Sequence, residues 1–305
     1  MMLFIKMMVL SNILESEKLI SYYSWSKYID SLRTDEIINN EKQAVSKLKI
    51  ILMNAVKKRI PKEKFGILFS GGIDSTLIAY LCKKFSKDFV CYTVGIEGSQ
   101  DIEFARKVSK KLNLPYKEKV FSIDEIRQIF EKTATVLGHE LINIVNLGVG
   151  SVELAAIKLA KQDNLKSFFS GLGSEEIFAG YQRHENSKNI NEECWHGLKT
   201  MWKRDLKRDY AISQAYDIVF LTPFLDKDLI TEAMKISGDL KIKSRYKKYI
   251  LRKTALELGL DKDFAFRKKK AAQYGSNFDK AILKIAKSNG YKYKQGYLDY
   301  LKKNK

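Results

Sequence analysis

Six consecutive residues combine the groups that bind a phosphate in proteins: Ser70-Gly71-Gly72-Ile73-Asp74-Ser75. Adjacent glycines allow a tight turn and bring backbone N–H groups close to a ligand. If a helix begins here, its unpaired N–H groups and partial positive charge attract anions, and the serine hydroxyls add donors. Asp74 would repel phosphate, so it is interpreted as a ligand of Mg²⁺. The same residues would also suit a plain turn in which Asp and Ser cap a helix.

The elements predicted around this segment favour the phosphate site over the plain turn, because the segment follows an apolar strand and precedes a helix. Strands are predicted at 65–69, 89–94, 116–121 and 167–169, and helices at 75–85, 101–112, 123–137 and 151–161. Strands joined by helices pair in parallel, and ligands bind beyond their carboxyl ends. We therefore predict an α/β fold, a parallel sheet with helices on both faces.

The chain divides into three predicted regions. Residues 1–60 have mainly helical patterns, including a helix over 41–60 that stops at Pro61. Residues 61–190 form the α/β core. Residues 191–305 are predicted to be α-helical, with no strand after about residue 190 and a basic tail at the end.

The six-residue string resembles the PP-loop of the N-type ATP pyrophosphatases, a superfamily with the adenine nucleotide alpha-hydrolase-like fold. This resemblance implies that the loop grips the pyrophosphate portion of ATP and leaves the α-phosphate open to attack. The sequence contains no GxxxxGK[ST] motif of the Walker A type.

Four further stretches are similar to the synthetase domain of asparagine synthetases and their relatives, over roughly residues 42–285. They are Thr93–Ser99 with Asp101, Ser170–Tyr181, Thr222–Asp226 and Arg267–Lys269. The second is the most specific to this branch of the superfamily. In it Ser174 is expected to be the N-cap of a helix whose first turn carries Glu175 and Glu176.

The resemblance implies a ligase that uses ATP and Mg²⁺. A carboxylate, aspartate or a similar molecule, attacks the α-phosphate and forms an acyl-adenylate with release of pyrophosphate, and a nitrogen nucleophile then displaces AMP. Asp74 and Glu175 are the expected Mg²⁺ ligands, and Lys269 is expected to neutralise phosphate charge. The residues expected to bind ATP are Ser70, Gly71, Gly72, Asp74, Ser75, Val94, Gly95 and Gly171.

The sequence departs from the family pattern in the half that forms the amide. Leu172 replaces a glutamate that is implicated in handling ammonia, and leucine can neither accept a proton nor orient ammonia. Glu175 stands where an aspartate is usual, and Leu221 replaces an arginine. The stretch 143–147, expected to be a substrate-binding loop, lacks the usual Thr and Arg.

The nitrogen donor is left open by these departures. We expect no glutaminase domain before the core, because residues 1–60 are too few to hold one, and free ammonia, an amine or a separate amidotransferase subunit is then expected to supply nitrogen. Two other functions remain: a tRNA-modifying PP-loop enzyme, and an ATP-binding subunit that has lost ligation.

Composition narrows the class of protein only slightly. The formal net charge is +19, from 55 Lys and Arg against 36 Asp and Glu, which suits either tRNA or a lysine-rich solvated surface. The three cysteines show no CxxC spacing, so neither a zinc site nor a disulfide framework is predicted. The apolar start at 1–10 is too short to span a bilayer, so no membrane association and a cytoplasmic location are expected.

Overall fold

The computed structural model describes residues 14–15, 18–86, 88–267 and 271–303. Its main sheet has five parallel strands in the order β5-β4-β3-β6-β7. These strands are β3 (Phe65–Leu68), β4 (Phe89–Ile96), β5 (Tyr116–Phe121), β6 (Ser167–Phe169) and β7 (Val219–Leu221). The predicted parallel α/β fold is confirmed. The four strands predicted from apolar runs are present within two residues of their predicted ends.

The sheet forms because its central strands consist almost entirely of apolar residues. β3, β4 and β6 are buried along nearly their whole length, as expected for parallel strands that are covered on both faces. Two large groups of buried apolar side chains exist. One contains Phe65, Ile67 and Phe169, and the other contains Tyr92 and Phe168. Alternating residues of the same strands thus pack into the two groups.

Helices connect the strands and cover the sheet. In chain order they are α1 (Tyr22–Ser31), α2 (Glu41–Lys57), α3 (Ile73–Phe85), α4 (Gln100–Leu112), α5 (Ile123–Leu141), α6 (Ile144–Ala160), α7 (Ser174–Ile177), α8 (Gln182–Glu185), α9 (Ile190–Met201), α10 (Lys207–Tyr216), α11 (Lys227–Lys235), α12 (Gly238–Lys241), α13 (Tyr249–Glu257), α14 (Lys262–Ala265), α15 (Ala272–Gly275), α16 (Phe278–Ser288) and α17 (Lys294–Lys303). A π-helical turn, Trp202–Leu206, joins α9 to α10.

Three regional predictions are corrected. The N-terminal region contains a small antiparallel pair, β1 (Leu14–Glu15) and β2 (Lys18–Leu19), before its helices, and the predicted apolar start lies outside the described residues. The absence of strands after residue 190 is wrong, because β7 pairs with β6. The stretch 143–147 is not a loop, since Asn143 accepts a hydrogen bond from the backbone of Asn146 and begins α6. The region boundaries near residues 60 and 190 stay predictions.

No helix among the described residues is long and apolar enough to cross a membrane. Cys82, Cys91 and Cys194 are buried and unpaired, and burial raises the pKa of each thiol above its usual range. They are therefore interpreted as small core side chains.

Candidate active site

The predicted phosphate loop lies at the carboxyl end of β3, where it leads into α3. Gly71 has a φ of 64°, a conformation that glycine adopts without the strain that a side chain would add. Gly72 is the N-cap of α3 and has no side-chain cap bond, so the first amides of the helix face the loop. The Ser75 Oγ accepts a hydrogen bond from the Ser70 backbone N at 3.2 Å. The serines thus fix the shape of the loop as well as supplying donors.

A cavity of about 760 Å³ opens beside this loop. It is lined by Ser70, Asp74 and Ser75 of the loop, and by Val94, Gly171 and Glu175 from other predicted site residues. The structure therefore brings together the ends of β3, β4 and β6, as expected for a ligand site of a parallel sheet. Gly95, in contrast, is not among the residues that line the cavity. It lies against Ser99, so a side chain at position 95 would overlap the Ser99 hydroxymethyl group.

Asp74 and Glu175 meet at one lysine that sequence reasoning missed. The Lys248 Nζ lies 2.8 Å from Asp74 Oδ2 and 2.7 Å from Glu175 Oε1. It also lies 3.3 Å from Ser174 Oγ. The Lys248 side chain is buried. Its backbone has a φ of 55°, a strained conformation for a residue with a side chain. We call Asp74, Glu175, Ser174 and Lys248 the loop cluster.

The loop cluster keeps its lysine charged. Burial alone would lower the pKa of Lys248, but the carboxylates of Asp74 and Glu175 outweigh burial and raise that pKa above its usual value. The sequence around Lys248 gives only a weak sign of this role, because its two carboxylate partners are distant in the chain. Its only local signal is a basic residue directly before α13, where a cap residue would be expected.

Ser174 does not have the predicted role of N-cap. Gly173 is the N-cap of α7, and the Ser174 hydroxyl donates to Asp74 Oδ1 at 2.5 Å. The serine therefore links the predicted acidic motif to the phosphate loop. The partnership with Asp74 is tertiary, so the local pattern of the motif could not indicate it.

Arg267 ties a distant segment to the phosphate loop. Its guanidinium donates to the Ser70 carbonyl at 3.0 Å and lies 3.4 Å from Asp101 Oδ1. The guanidinium carbon also lies 3.7 Å from the ring centroid of Phe104. The two lysines that follow it in the motif, Lys269 included, lie outside the described residues. The role of Lys269 stays a prediction.

A second group of charged residues reaches the same cavity through Glu153, Arg204, Asp205 and Arg208. Arg208 pairs with Asp205 at 3.0 Å, with Asp209 at 2.6 Å and with Glu153 at 3.3 Å. Arg204 pairs with Asp205 and with Glu176, which follows Glu175 in α7. We call these six residues, Glu153, Glu176, Arg204, Asp205, Arg208 and Asp209, the arginine cluster. All but Arg204 are buried.

The oxygen set of the loop cluster fits Mg²⁺. Carboxylates and hydroxyls are the protein ligands that this ion prefers, and Mg²⁺ sites in nucleotide enzymes use one or two carboxylates together with phosphates. No group of three or more His, Cys, Asp or Glu side chains in the described part of the chain could hold a metal ion alone. Asp74 and Glu175 would therefore hold the ion together with bound phosphate.

The parallel sheet and the glycine loop at the start of a helix define a class of protein, the α/β proteins with a phosphate-binding loop. The sequence pattern of the asparagine synthase family matches residues 47–194 and 183–291. The chain belongs to this family. Membership implies the use of ATP.

Curated relatives agree with this assignment. A Methanocaldococcus jannaschii protein named as a glutamine-hydrolyzing asparagine synthetase is 31% identical over 293 residues, covering 83% of this chain and 53% of the relative. The asparagine synthetase of Gallus gallus is 28% identical over 266 residues, covering 83% of this chain and 46% of its own length. The asparagine synthetase 1 of Arabidopsis thaliana is 29% identical over 219 residues, covering 66% of this chain and 37% of the relative. The chain thus spans about half the length of these relatives or less.

Proposed function

We propose that this chain is an ATP-dependent ligase. It joins a carboxylate to AMP with release of pyrophosphate, and it then forms an amide with ammonia or an amine. The observation that carries the proposal is the loop cluster, in which two carboxylates surround one buried ammonium beside a phosphate-binding loop. The carboxylate is aspartate or a similar small molecule, in line with the names of the relatives.

The first half-reaction places a growing negative charge on pyrophosphate. The loop amides and the serine hydroxyls are in place before ATP arrives, and the Lys248 ammonium, held by Asp74, Glu175 and Ser174, adds positive charge beside them. Bound Mg²⁺ would supply further positive charge at the phosphates. Lys248 stays protonated throughout because its pKa is raised. Loss of its positive charge should therefore slow pyrophosphate release.

The second half-reaction needs space for the acyl group and its attacking nitrogen. The cavity continues past Gly171 and Leu172 to the arginine cluster, which leaves room for both beyond the phosphates. The acyl-adenylate would lie between the two clusters.

The test is ATP–pyrophosphate exchange across a panel of carboxylates, aspartate included, followed by amide formation with ammonium chloride. Exchange that depends on one carboxylate, with amide formed on adding ammonia, supports the proposal. Asp74→Asn should reduce the exchange by about 100-fold or more, since it removes a charge that organises the phosphate site. Asp228→Asn is the control, because Asp228 is exposed and pairs with Lys58 instead.

Leu172 gives a specific reason for a second candidate, an ATP-binding subunit that has lost ligation. An apolar side chain lines the cavity where the family pattern has glutamate. That protein would bind ATP with Mg²⁺ yet show no exchange with any carboxylate. A parallel arm with added tRNA covers the third function, and exchange that appears only with tRNA would replace our proposal.

A further inference from the structure

The cavity ends in a group of side chains with more negative than positive charge. The arginine cluster contains four carboxyl groups and two guanidinium groups, and all of these residues except Arg204 are buried. Charges of one sign in such surroundings repel strongly unless protons or a bound cation neutralise them. The cluster therefore suits a ligand that carries positive charge or exchanges a proton.

Glu153 is the member of the cluster with unused bonding capacity beside the cavity. Its side chain is nine-tenths buried, and it lines the cavity from α6. Its Oε1 lies 3.3 Å from Arg208, its carboxyl group also interacts with that of Asp209, and its Oε2 receives no hydrogen bond from an N–H or O–H donor within the described ranges. Buried carboxylate oxygens are rarely left without a partner in a protein that has no use for them.

The nearby groups make Glu153 a stronger base than an ordinary carboxylate. Burial raises the pKa of Glu153 to about 8, the negative charges of Asp209 and Asp205 act in the same direction, and Arg208 opposes the change. A carboxyl group titrating near neutral pH can take a proton from a nitrogen nucleophile more readily than one titrating near 4. The other charged groups that face it come from α10 and from the π-helical turn before it.

We propose that Glu153 binds the nitrogen nucleophile of the second half-reaction and accepts its proton, a role that Leu172 cannot perform. This inference rests on the proposed function. The nitrogen of ammonia forms a bond to the acyl carbon, and the bond from that carbon to the AMP oxygen breaks with its electron pair leaving on AMP. The proton released by nitrogen moves to the Glu153 carboxylate and then to water.

A chain of ion pairs connects the arginine cluster to the phosphate loop. Arg208 binds Asp205, Asp205 binds Arg204, and Arg204 reaches Glu176. Glu176 is adjacent in sequence to Glu175 of the loop cluster. Both clusters are therefore attached to the short helix α7, so the nitrogen site and the phosphate site have a fixed spacing.

The test compares Glu153→Gln with Asp209→Asn, using the carboxylate that gives the strongest exchange in the wild-type protein. Both changes remove one negative charge from the neighbourhood of Arg208, but of these two residues only Glu153 lines the cavity. Glu153→Gln should leave pyrophosphate exchange within about threefold of wild type and reduce ammonia-dependent amide formation by about 100-fold, the contribution of a general base. Asp209→Asn should reduce amide formation by about tenfold, less than Glu153→Gln, because it removes a charge that raises the pKa of Glu153 but leaves the Glu153 carboxylate in place.

A second nucleophile separates proton transfer from structural damage. Hydroxylamine is largely unprotonated at neutral pH and is a stronger nucleophile than ammonia, so it needs less help from a base. Hydroxamate formation by Glu153→Gln should fall by less than about tenfold. In a variant whose active site is merely distorted, amide formation and hydroxamate formation would fall by equal factors, and ATP–pyrophosphate exchange would fall as well.

Three results would overturn the inference while leaving the proposed function intact: unchanged amide formation in Glu153→Gln, equal losses in Glu153→Gln and Asp209→Asn, or equal losses of exchange and amide formation. If the wild-type protein shows no exchange with any carboxylate, the proposed function fails, and the role of Glu153 fails with it. The two failures are distinguished by the wild-type measurement alone.

Discussion

The loop cluster and the arginine cluster share one cavity but treat charge differently. In the loop cluster one lysine lies between two carboxylates, and its pKa is raised, so its ammonium keeps its charge. In the arginine cluster four carboxyl groups share two guanidinium groups. Burial raises the pKa of Glu176 to about 7 and of Asp209 to about 6, with Asp205 contributing in both cases. The loop cluster thus keeps a fixed positive charge, whereas carboxyl groups of the arginine cluster can bind protons near neutral pH.

This difference follows the chemistry of two half-reactions. Phosphate transfer needs fixed positive charge and carries no proton between protein and substrate. Amide formation from ammonia must release a proton, so it needs a group whose pKa lies near the working pH. A cavity with both kinds of cluster can perform the two steps in sequence without rearranging either.

The largest effect is expected when the fixed charge is removed. Lys248→Met should reduce ATP–pyrophosphate exchange by about 100-fold or more, because the ammonium beside the phosphate loop is lost and two carboxylates are left to repel the phosphates. The measurement is the exchange rate at saturating ATP. The matched control is Lys247→Met, since Lys247 lines the same cavity but pairs with Glu185 on α8. Equal losses in both variants would mean that general positive charge matters, and the loop cluster would lose its special role.

A smaller effect is expected from crowding the loop cluster without changing its charge. A methyl group on Gly180 would overlap Glu175 Oε2 and press against the Lys248 side chain. Gly180→Ala should therefore displace Glu175 and lower exchange by roughly tenfold, the cost of misplacing a group that orients the reaction. Thermal unfolding monitored by circular dichroism provides the control for folding. A variant with normal exchange would show that Glu175 can move without consequence, which would remove it from the metal site.

Much of the fold could be predicted from the sequence because its central strands are short apolar runs between helices. β7 was missed because Val219–Leu221 is only three residues long and lies in a region dominated by helical patterns. Its strand character comes from pairing with β6, which is a tertiary effect. The start of α6 was missed because the family resemblance, and not the capping residue Asn143, guided the prediction of a loop.

The phosphate loop could be predicted because all its chemistry lies within six consecutive residues. Lys248 could not, since its contacts with Asp74 and Ser174 bring together residues far apart in the chain. Glu153 did leave a signal: it is the only charged residue in Ile144–Ile157, a stretch of α6 that is otherwise apolar or uncharged. A lone carboxylate in such a stretch is costly unless it is paired or functional, and it could have been marked on that ground.

The subtlest prediction concerns how stability depends on pH, and it tests whether the arginine cluster holds protons. The pKa of Glu153 is about 8 in the folded protein against an ordinary value of 4.5, so between these values the folded state binds more protons than the unfolded state. The free energy of unfolding should then fall as the pH rises from about 4.5 to about 8. Glu153→Gln cannot titrate, so its decline over this range should be shallower than that of wild type.

Urea unfolding at pH 5.5, 7 and 8.5 measures this slope, with Glu125→Gln as the control. Glu125 is an exposed carboxylate at the start of α5, and a hydrogen bond from Lys119 lowers its pKa to about 2. Because Glu125 is already ionised across the whole range, its replacement should leave the slope unchanged. Parallel slopes for wild type and Glu153→Gln would show that Glu153 is ionised throughout, and the contrast between the charge-holding and the proton-holding cluster would then be wrong.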